Sequence, residues 1–325
     1  MRKKQGHSIA DIAAALDLSP STVSRALRAN PAISGTTIRK VLAEAQKQGY
    51  ISPEQGKKNL VIVLPYNTLS TYESFMIDAI CNQCENNDIS WEIVNSRHLP
   101  IIQERLIHGI ISLDYRDLHS SALADRFNLP LVAVNEFPNI TEKVYSISSD
   151  ASNGIRQAMQ HLKNLGHRKI IYLYSINSKN YCSAKRLEAF NEIGSDMNLV
   201  CRSFPIMINH IYGDSLLQIV REQMGHSFTA VIAEGERVGI YAGSCLRRGG
   251  IGIPQELSLI TWEIPGVSEH LFPAMTTIGQ NFPALARAVV SSMVALWNGE
   301  KQPFSLQIPY LFFDRDSTAE PFQRQ

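Results

Sequence analysis

Residues 8–50 read SIADIAAALDLSPSTVSRALRANPAISGTTIRKVLAEAQKQGY, and the rest of the chain is read outward from this stretch. Ile9, Ile12, Ala13 and Leu16 recur at helical spacing behind Ser8, which suits an N-cap. Asp17 follows, a residue type that tolerates the left-handed turn conformation. A second helix is expected to open on Ser19 as N-cap, with Pro20 at the first helical position, where no backbone donor is needed. Val23, Ala26 and Leu27 form its apolar face, and Ser21, Ser24, Arg25 and Arg28 point outward. Ser34 caps a third helix carrying Ile38, Val41, Leu42 and Ala45, and Gly49 ends it. A short helix whose outer face is small, hydroxylated and basic suits the DNA major groove. Small side chains let the backbone approach, and arginine can pair with a guanine edge. The same spacing also fits a small helical bundle with no nucleic-acid role.

Charge separates these readings. Residues 1–58 hold ten Lys/Arg and four Asp/Glu, a net of +6, while the whole chain carries only +1. The remainder is therefore at −5. A basic end on an acidic body is the footprint of a module that meets a polyanion at one end only. At 325 residues, 44% hydrophobic and 19% charged, the chain has room for a headpiece and a two-lobed globular body. It has no apolar run of membrane-spanning length, and MRKKQGH leads into an amphipathic helix rather than a signal-peptide core. A cytoplasmic protein without membrane contact is expected. Five cysteines, at 81, 84, 182, 201 and 245, argue against a disulfide framework. The Cys81-Asn82-Gln83-Cys84 spacing lacks a second pair and lies within a helical pattern, so helix thiols are favoured over a metal or redox site.

Beyond a polar linker, ISPEQGKKN at 51–59, short apolar strands alternate with amphipathic helices. Strands are predicted at 60–64, 90–94, 109–113 and 131–134, with helices near 72–85, 101–106 and 119–127 between them. After Asp150 the alternation restarts. Helices are predicted at 152–165, 184–193, 214–224, 237–248 and 282–297, and strands at 169–174, 229–233 and 257–262, with a final strand pair over 305–313. That is enough parallel sheet for two doubly wound lobes.

The headpiece resembles that of the LacI/GalR transcription-factor family in DIAAAL, LSPSTVSRAL, the Asn30-Pro31 and Ile33-Ser34 region, and TIRKVLAEAQKQGY. The body resembles the same family's periplasmic-sugar-binding-like half in Asp150 with Gly154, HLKNLGHRKI (161–170), RLEAF (186–190), GIGIPQELSLITW (250–262) and PAMTTIGQ (273–280). The resemblance implies a helix-turn-helix headpiece at 1–50, the linker at 51–59, and an effector-binding and dimerisation domain at 60–325. It places lobe 1 at about 60–167 and 282–307, and lobe 2 at about 168–281 and 308–325, with crossings near 167, 281 and 307. It implies a homodimer on a palindromic operator in double-stranded DNA, governed by a small effector, most often a sugar, bound in a cleft between lobes.

By the same resemblance Pro20, Ser21 and Arg25 stand at base-reading positions, and Ser8, Thr22, Ser24, Arg28 and Ser34 near phosphates. Effector contacts are implied at Tyr72 and Glu73 in the first lobe, and at Arg186, Phe204, Glu236, Trp262 and Glu263 in the second. For Arg186 and Glu263 a buried structural ion pair is the competing reading. Three departures stand out. Pro20 replaces a donor-bearing reader. Gly235-Glu236 replaces the family's Asn-Asp pair. The linker is too short for the extra minor-groove helix, which leaves Lys57 and Lys58 as substitute phosphate contacts. The abbreviated HLPIIQERLIHGIISL, with the CNQCEN helix, is similar to repressors of β-galactosidase operons and points to a galactoside. A sugar-binding sensor whose operator control is weakened or lost is the alternative function. An enzyme is not expected, because the chain has no Gly-rich phosphate loop, GxSxG elbow or metal-spaced histidine cluster; no cofactor or metal is expected either.

Overall fold

The computed structural model describes residues 8–51, 57–65, 70–113, 120–135, 144–177, 181–208, 214–300 and 305–322. The central linker residues, 52–56, lie outside the described residues. The chain divides into two compact units, residues 1–148 with 282–306, and residues 149–281 with 307–325.

The first unit opens with α1 (Ile9–Leu16), α2 (Pro20–Leu27) and α3 (Gly35–Lys47). Their ends follow the capping chemistry. Ser8 and Asp11 form a reciprocal capping box, Asp17 adopts a left-handed φ of 52°, and Ser19 accepts from Thr22 N with Pro20 at the start of α2. Ile12, Ala13, Val23, Ala26, Val41, Leu42 and Ala45 are buried together, closing a three-helix core.

The same unit then builds a six-stranded sheet from β1 (Asn59–Leu64), β2 (Ser90–Asn95), β3 (Gly109–Ser112), β4 (Leu131–Val134), β5 (Val144–Ser149) and β11 (Ser305–Ile308), in the order β11-β5-β4-β3-β1-β2. β1 runs parallel to β2 and β3, and β4 parallel to β3 and β5. One face packs on the 3-10 segment Ser96–Glu104 and α5 (Ser120–Phe127), through Leu99, Ile102, Leu123 and Phe127. α4 (Thr71–Asn86) packs against α10 (Phe282–Asn298), burying Met76, Ile80 and Cys84 from the former and Leu285, Val289 and Met293 from the latter. The predicted helix at 101–106 is instead this 3-10 segment, which carries Pro100 and ends at Glu104.

The second unit holds β6 (Lys169–Ser175), β7 (Val200–Ile206), β8 (Ala230–Ala233), β9 (Ser258–Trp262), β10 (Thr276–Gly279) and β12 (Leu311–Phe313), in the order β12-β10-β9-β8-β6-β7. All are parallel except β12, which pairs antiparallel with β10. α6 (Ala151–Asn164) and α7 (Tyr181–Asp196) cover one face, with Ile155, Met159, Leu162 and Phe190 against Tyr172, Ile260 and Trp262. α8 (Asp214–Gly225) and α9 (Gly235–Arg248) cover the other.

Two sequence expectations are corrected. The first crossing lies at Ser149, not near 167, because α6 buries its apolar face in the core of the second unit. The terminal strands are not a pair: β11 edges the first sheet and β12 the second. The sequence reading also passed over β5, β7 and β10.

Candidate functional sites

α2 is positioned by what lies behind it. Val23 and Ala26 are fully buried, so the helix cannot rotate without exposing them, while Pro20, Ser21 and Arg25 face solvent. The hydroxyls are mutually engaged. Ser19 Oγ lies 2.9 Å from Ser21 Oγ and 2.8 Å from Thr22 Oγ1. The two arginines fold back on their own helix: Arg25 Nε donates to Ser21 O at 3.3 Å, and Arg28 Nη2 to Ser24 Oγ at 2.7 Å. Ser34 caps α3 as Ser8 caps α1, which sets both hydroxyls at helix N-termini, where backbone N–H groups favour a phosphate. The structure thus gathers Pro20, Ser21, Thr22, Ser24, Arg25 and Arg28 on one short helix, with Ser8 and Ser34 at neighbouring helix starts.

Lys57 and Lys58 turn to the first unit's own surface. Lys57 Nζ lies 3.5 Å from Asp88 Oδ1, and Lys58 Nζ stands 4.3 Å over the Trp297 ring. Both cations hold surface partners, as Arg25 and Arg28 do on α2.

At the start of α4, Tyr72 Oη accepts from Asn135 Nδ2 at 2.8 Å, at the carboxyl end of β4. Its ring lies 6.0 Å from that of Phe282. Glu73 is buried, and its carboxylate turns back to Ser70, accepting from Ser70 N at 2.6 Å and from Ser70 Oγ. The carboxylate thereby caps α4.

In the second unit Arg186, on α7, meets the carboxyl edge of the sheet. Its Nη1 donates to Glu234 Oε1 at 3.1 Å, its Nη2 to Tyr310 Oη at 2.9 Å, and its guanidinium stands 5.0 Å from the Trp262 ring centroid. Ser183 Oγ donates to the other Glu234 oxygen at 2.8 Å. Three buried polar atoms of this group, Arg186 Nε, Trp262 Nε1 and Tyr172 Oη, have no hydrogen-bond partner among the described residues. Burial, reinforced by Glu234, holds the Tyr172 phenol well above its ordinary range, so it remains a hydroxyl. Glu263 has its own partner. Arg315 donates to both its oxygens, at 2.8 and 3.0 Å, and Thr277 Oγ1 donates to it as well. Arg186 and Glu263 are thus each ion-paired, with Glu234 and Arg315 respectively rather than with one another.

The acid that engages Arg186 is Glu234, at the end of β8. Glu236 lies two residues on, in the first turn of α9. Phe204 is not brought to this group: it pairs with Leu173 across β7 and β6 and packs on the α8/α9 face, opposite Trp262. Sequence reasoning missed Glu234, Tyr310 and Arg315. An acid directly after the apolar strand ending Val-Ile-Ala was the available signal for the first; β12 and its flanking residues offered none. Among the described residues no cluster of three or more His, Cys, Asp or Glu could hold a metal ion, and no helix is long and apolar enough to cross a membrane.

Residues 1–44 match the helix-turn-helix family, and residues 159–318 match the periplasmic binding protein-like domain family. The HTH-type transcriptional regulator MalR of Streptomyces coelicolor is 24% identical, over 97% of this chain and 98% of its own length. Among solved structures, the transcriptional regulator CelR–cellobiose complex is 19% identical with a TM-score of 0.66, covering 96% of this chain and 99% of that one. The lac repressor dimer bound to operator and the anti-inducer ONPF is likewise 19% identical with a TM-score of 0.66, covering 97% of this chain and all of that one.

Proposed function

The chain belongs to the LacI/GalR family of DNA-binding transcriptional regulators, and from that premise we propose that it is a homodimeric repressor reading a palindromic operator through α2. The observation that carries the reading is the exposed Pro20-Ser21-Arg25 face of a helix locked from behind by Val23 and Ala26. Arg25 supplies the base-specific donors, Pro20 an apolar contact such as a thymine methyl, and Ser8, Thr22, Ser24, Arg28 and Ser34 the phosphate contacts. The relatives are named as regulators rather than enzymes. For self-association, the second unit exposes the large apolar side chains Phe272 (88%), Ile240 (54%) and Val267 (41%), which a second copy could cover.

The effector we propose is a neutral sugar recognised at the carboxyl edge of the second sheet. Arg186 is paired with Glu234, and Arg315 with Glu263 and, at 3.7 Å, with Glu269, so the edge offers donors and acceptors without a surplus cation to meet an acid. Arg186 Nε and Trp262 Nε1 are donors awaiting an acceptor, and Tyr172 Oη can serve in either direction. Vicinal hydroxyls match that set, whereas a free carboxylate would bring an uncompensated charge. The CelR structure holds cellobiose, and a galactoside is the first sugar to test. Tyr72, on the first unit, is proposed as a further effector contact. The test is footprinting of the full chain on DNA flanking its own coding region, with and without sugars. Protection of a palindrome that a sugar relieves or strengthens is expected. No protected site in low salt under any ligand would refute the reading.

A further inference from the structure

The chain leaves the headpiece at Tyr50 and enters the first sheet at Asn59, and one imidazole holds both residues. His108, just before β3, has Nε2 at 2.9 Å from Tyr50 O and Nδ1 at 2.9 Å from Asn59 N. A backbone N–H can only donate, so Nδ1 is the acceptor and Nε2 carries the proton given to Tyr50. His108 is buried, and its backbone is fixed as well: its N donates to Asn59 O at 2.8 Å, and its O accepts from Trp297 Nε1 at 2.7 Å.

The contact continues on either side. Leu106 is 7% exposed and belongs to the three-helix core of the headpiece, beside Val41, Leu42 and Tyr50. Gln46 Nε2, on α3, donates to Arg105 O at 3.2 Å. Arg105 is itself paired with Glu92 of β2 at 3.1 Å, and Glu92 accepts from Asn59 Nδ2 at 2.8 Å. Gly49, at φ +65°, makes the reversal that brings Tyr50 under α3, with Tyr50 N donating to Ala45 O at 2.9 Å. Burying the Leu106 side chain in the headpiece core, together with these hydrogen bonds, favours the docked headpiece over a free one.

We propose that His108 and Leu106 are positioning residues for DNA recognition: they dock the headpiece on the first unit in one orientation, fixing where α2 is presented. The device replaces a folding linker. A flexible tether of this length would let the headpiece sample many positions, whereas an imidazole bonded at both ends of the tether makes headpiece and sheet one body. The proposal rests on α2 being the DNA reader. Its direct consequence is a narrow tolerance for the distance between operator half-sites, because the spacing of two docked headpieces cannot adjust.

The test compares the full-length protein with H108A and L106D. The first readout is rotational tumbling of headpiece amides by 15N relaxation, without DNA. The second is affinity for a series of operators whose half-sites are moved together or apart. The wild-type headpiece is expected to tumble with the whole chain and to lose about tenfold in affinity or more when the spacing changes by roughly two base pairs. In both variants the headpiece should tumble as a small free domain and the spacing penalty should shrink to about threefold or less. A wild-type headpiece that tumbles freely would overturn the proposal, and that measurement needs no variant to fold. Folded variants that keep wild-type tumbling and spacing preference would overturn it equally. Failure of all three proteins to bind any DNA would count against the DNA reading alone, since the tumbling comparison decides the docking without it.

Discussion

Arg186 Nη1 and Glu234 Oε1 lie 3.1 Å apart, with side chains only 12% and 3% exposed. A buried pair is worth little against an apolar equivalent, but removing one partner strands the other charge. Glu234→Gln is therefore expected to lower stability by about 3–5 kcal/mol. It should also turn the edge of the second sheet cationic, so that a sugar acid raises the melting temperature of the variant more than the parent neutral sugar does. Thermal unfolding with each ligand measures both effects. An unchanged melting temperature in the unliganded variant would mean that the pair does not carry the charge balance assigned to it.

Arg25 costs little to recruit. Its bond from Nε to Ser21 O, at 3.3 Å, is long and exposed, so swinging the guanidinium towards a base sacrifices almost nothing. Arg25→Ala should weaken binding to a footprinted operator by roughly 1–3 kcal/mol while leaving affinity for random DNA nearly unchanged at fixed salt. Arg28→Ala, at a phosphate, should weaken both alike and reduce the salt slope by about one unit. Anisotropy titrations on the two DNAs separate these outcomes, and equal losses for both variants on both DNAs would misplace the reading helix.

The headpiece was legible because its signals are local. Ser8, Ser19 and Ser34 cap helices within three residues of themselves, and Pro20 and Asp17 each fix one backbone angle. The alternating strands and helices of the body were equally plain. The site partners were not, because each joins elements far apart in sequence: Arg186 with Tyr310 across 124 residues, Glu263 with Arg315 across 52, His108 with Tyr50 across 58. Periodicity carries no information about such pairs. Glu73 is the local case: its capping bond to Ser70, three residues earlier, is legible from the Ser-x-x-Glu spacing alone.

His167 anchors the C-terminal segment of the second unit. Its Nδ1 lies 2.7 Å from Thr229 Oγ1, and its Nε2 lies 3.0 Å from Ser258 Oγ and 2.9 Å from Ala319 O. Burial, opposed by the bond to the Ala319 carbonyl, pushes its pKa down to about 4 from an ordinary 6.5. The unfolded chain therefore takes up a proton at a higher pH than the folded one. The stability tied to neutral His167 is complete above about pH 6.5 and is lost as pH falls towards 4, a loss on the order of 3 kcal/mol. Urea unfolding across that range should show this slope, and His167→Gln should flatten it. A parallel pH profile in the variant would assign the acid sensitivity elsewhere.

Glu73 and Tyr72 are adjacent but should respond differently. Glu73→Ala removes the acceptor for Ser70 N and is expected to cost roughly 0.5–2 kcal/mol of stability with effector affinity unchanged. Tyr72→Phe keeps the ring beside Phe282 but deletes the acceptor for the buried Asn135 amide, so it should cost about 1–3 kcal/mol of stability and, unlike Glu73→Ala, also weaken effector binding. Calorimetric titration alongside thermal unfolding distinguishes them, and a reversed pattern would return Glu73 to the effector site.

Gly154 decides whether Tyr310 can reach Arg186 at all. It lies inside α6, where alanine would ordinarily stabilise a helix by about 1 kcal/mol. Here an added Cβ would stand 2.8 Å from Tyr310 Cδ2, 2.9 Å from its Cγ and 3.0 Å from Ile278 Cγ2. These are contacts with the root of a buried ring and a strand side chain, which cannot yield as a flexible tip would. Overpacking of this kind costs about 1–3 kcal/mol, so the clash outweighs the propensity gain. The tyrosine cannot move freely either, since its backbone N donates to Asn153 Oδ1 at 3.1 Å and its Oη must stay within reach of Arg186 Nη2 at 2.9 Å. Gly154→Ala is thus expected to destabilise the protein and, by displacing Tyr310, to weaken effector binding. Tyr310→Ala should do both by itself. In the double variant the cavity left by Tyr310 would accommodate the new methyl, so the two losses should fall short of additive by about 0.5–3 kcal/mol. Strict additivity in that cycle would mean that Gly154 acts on stability without passing through Tyr310.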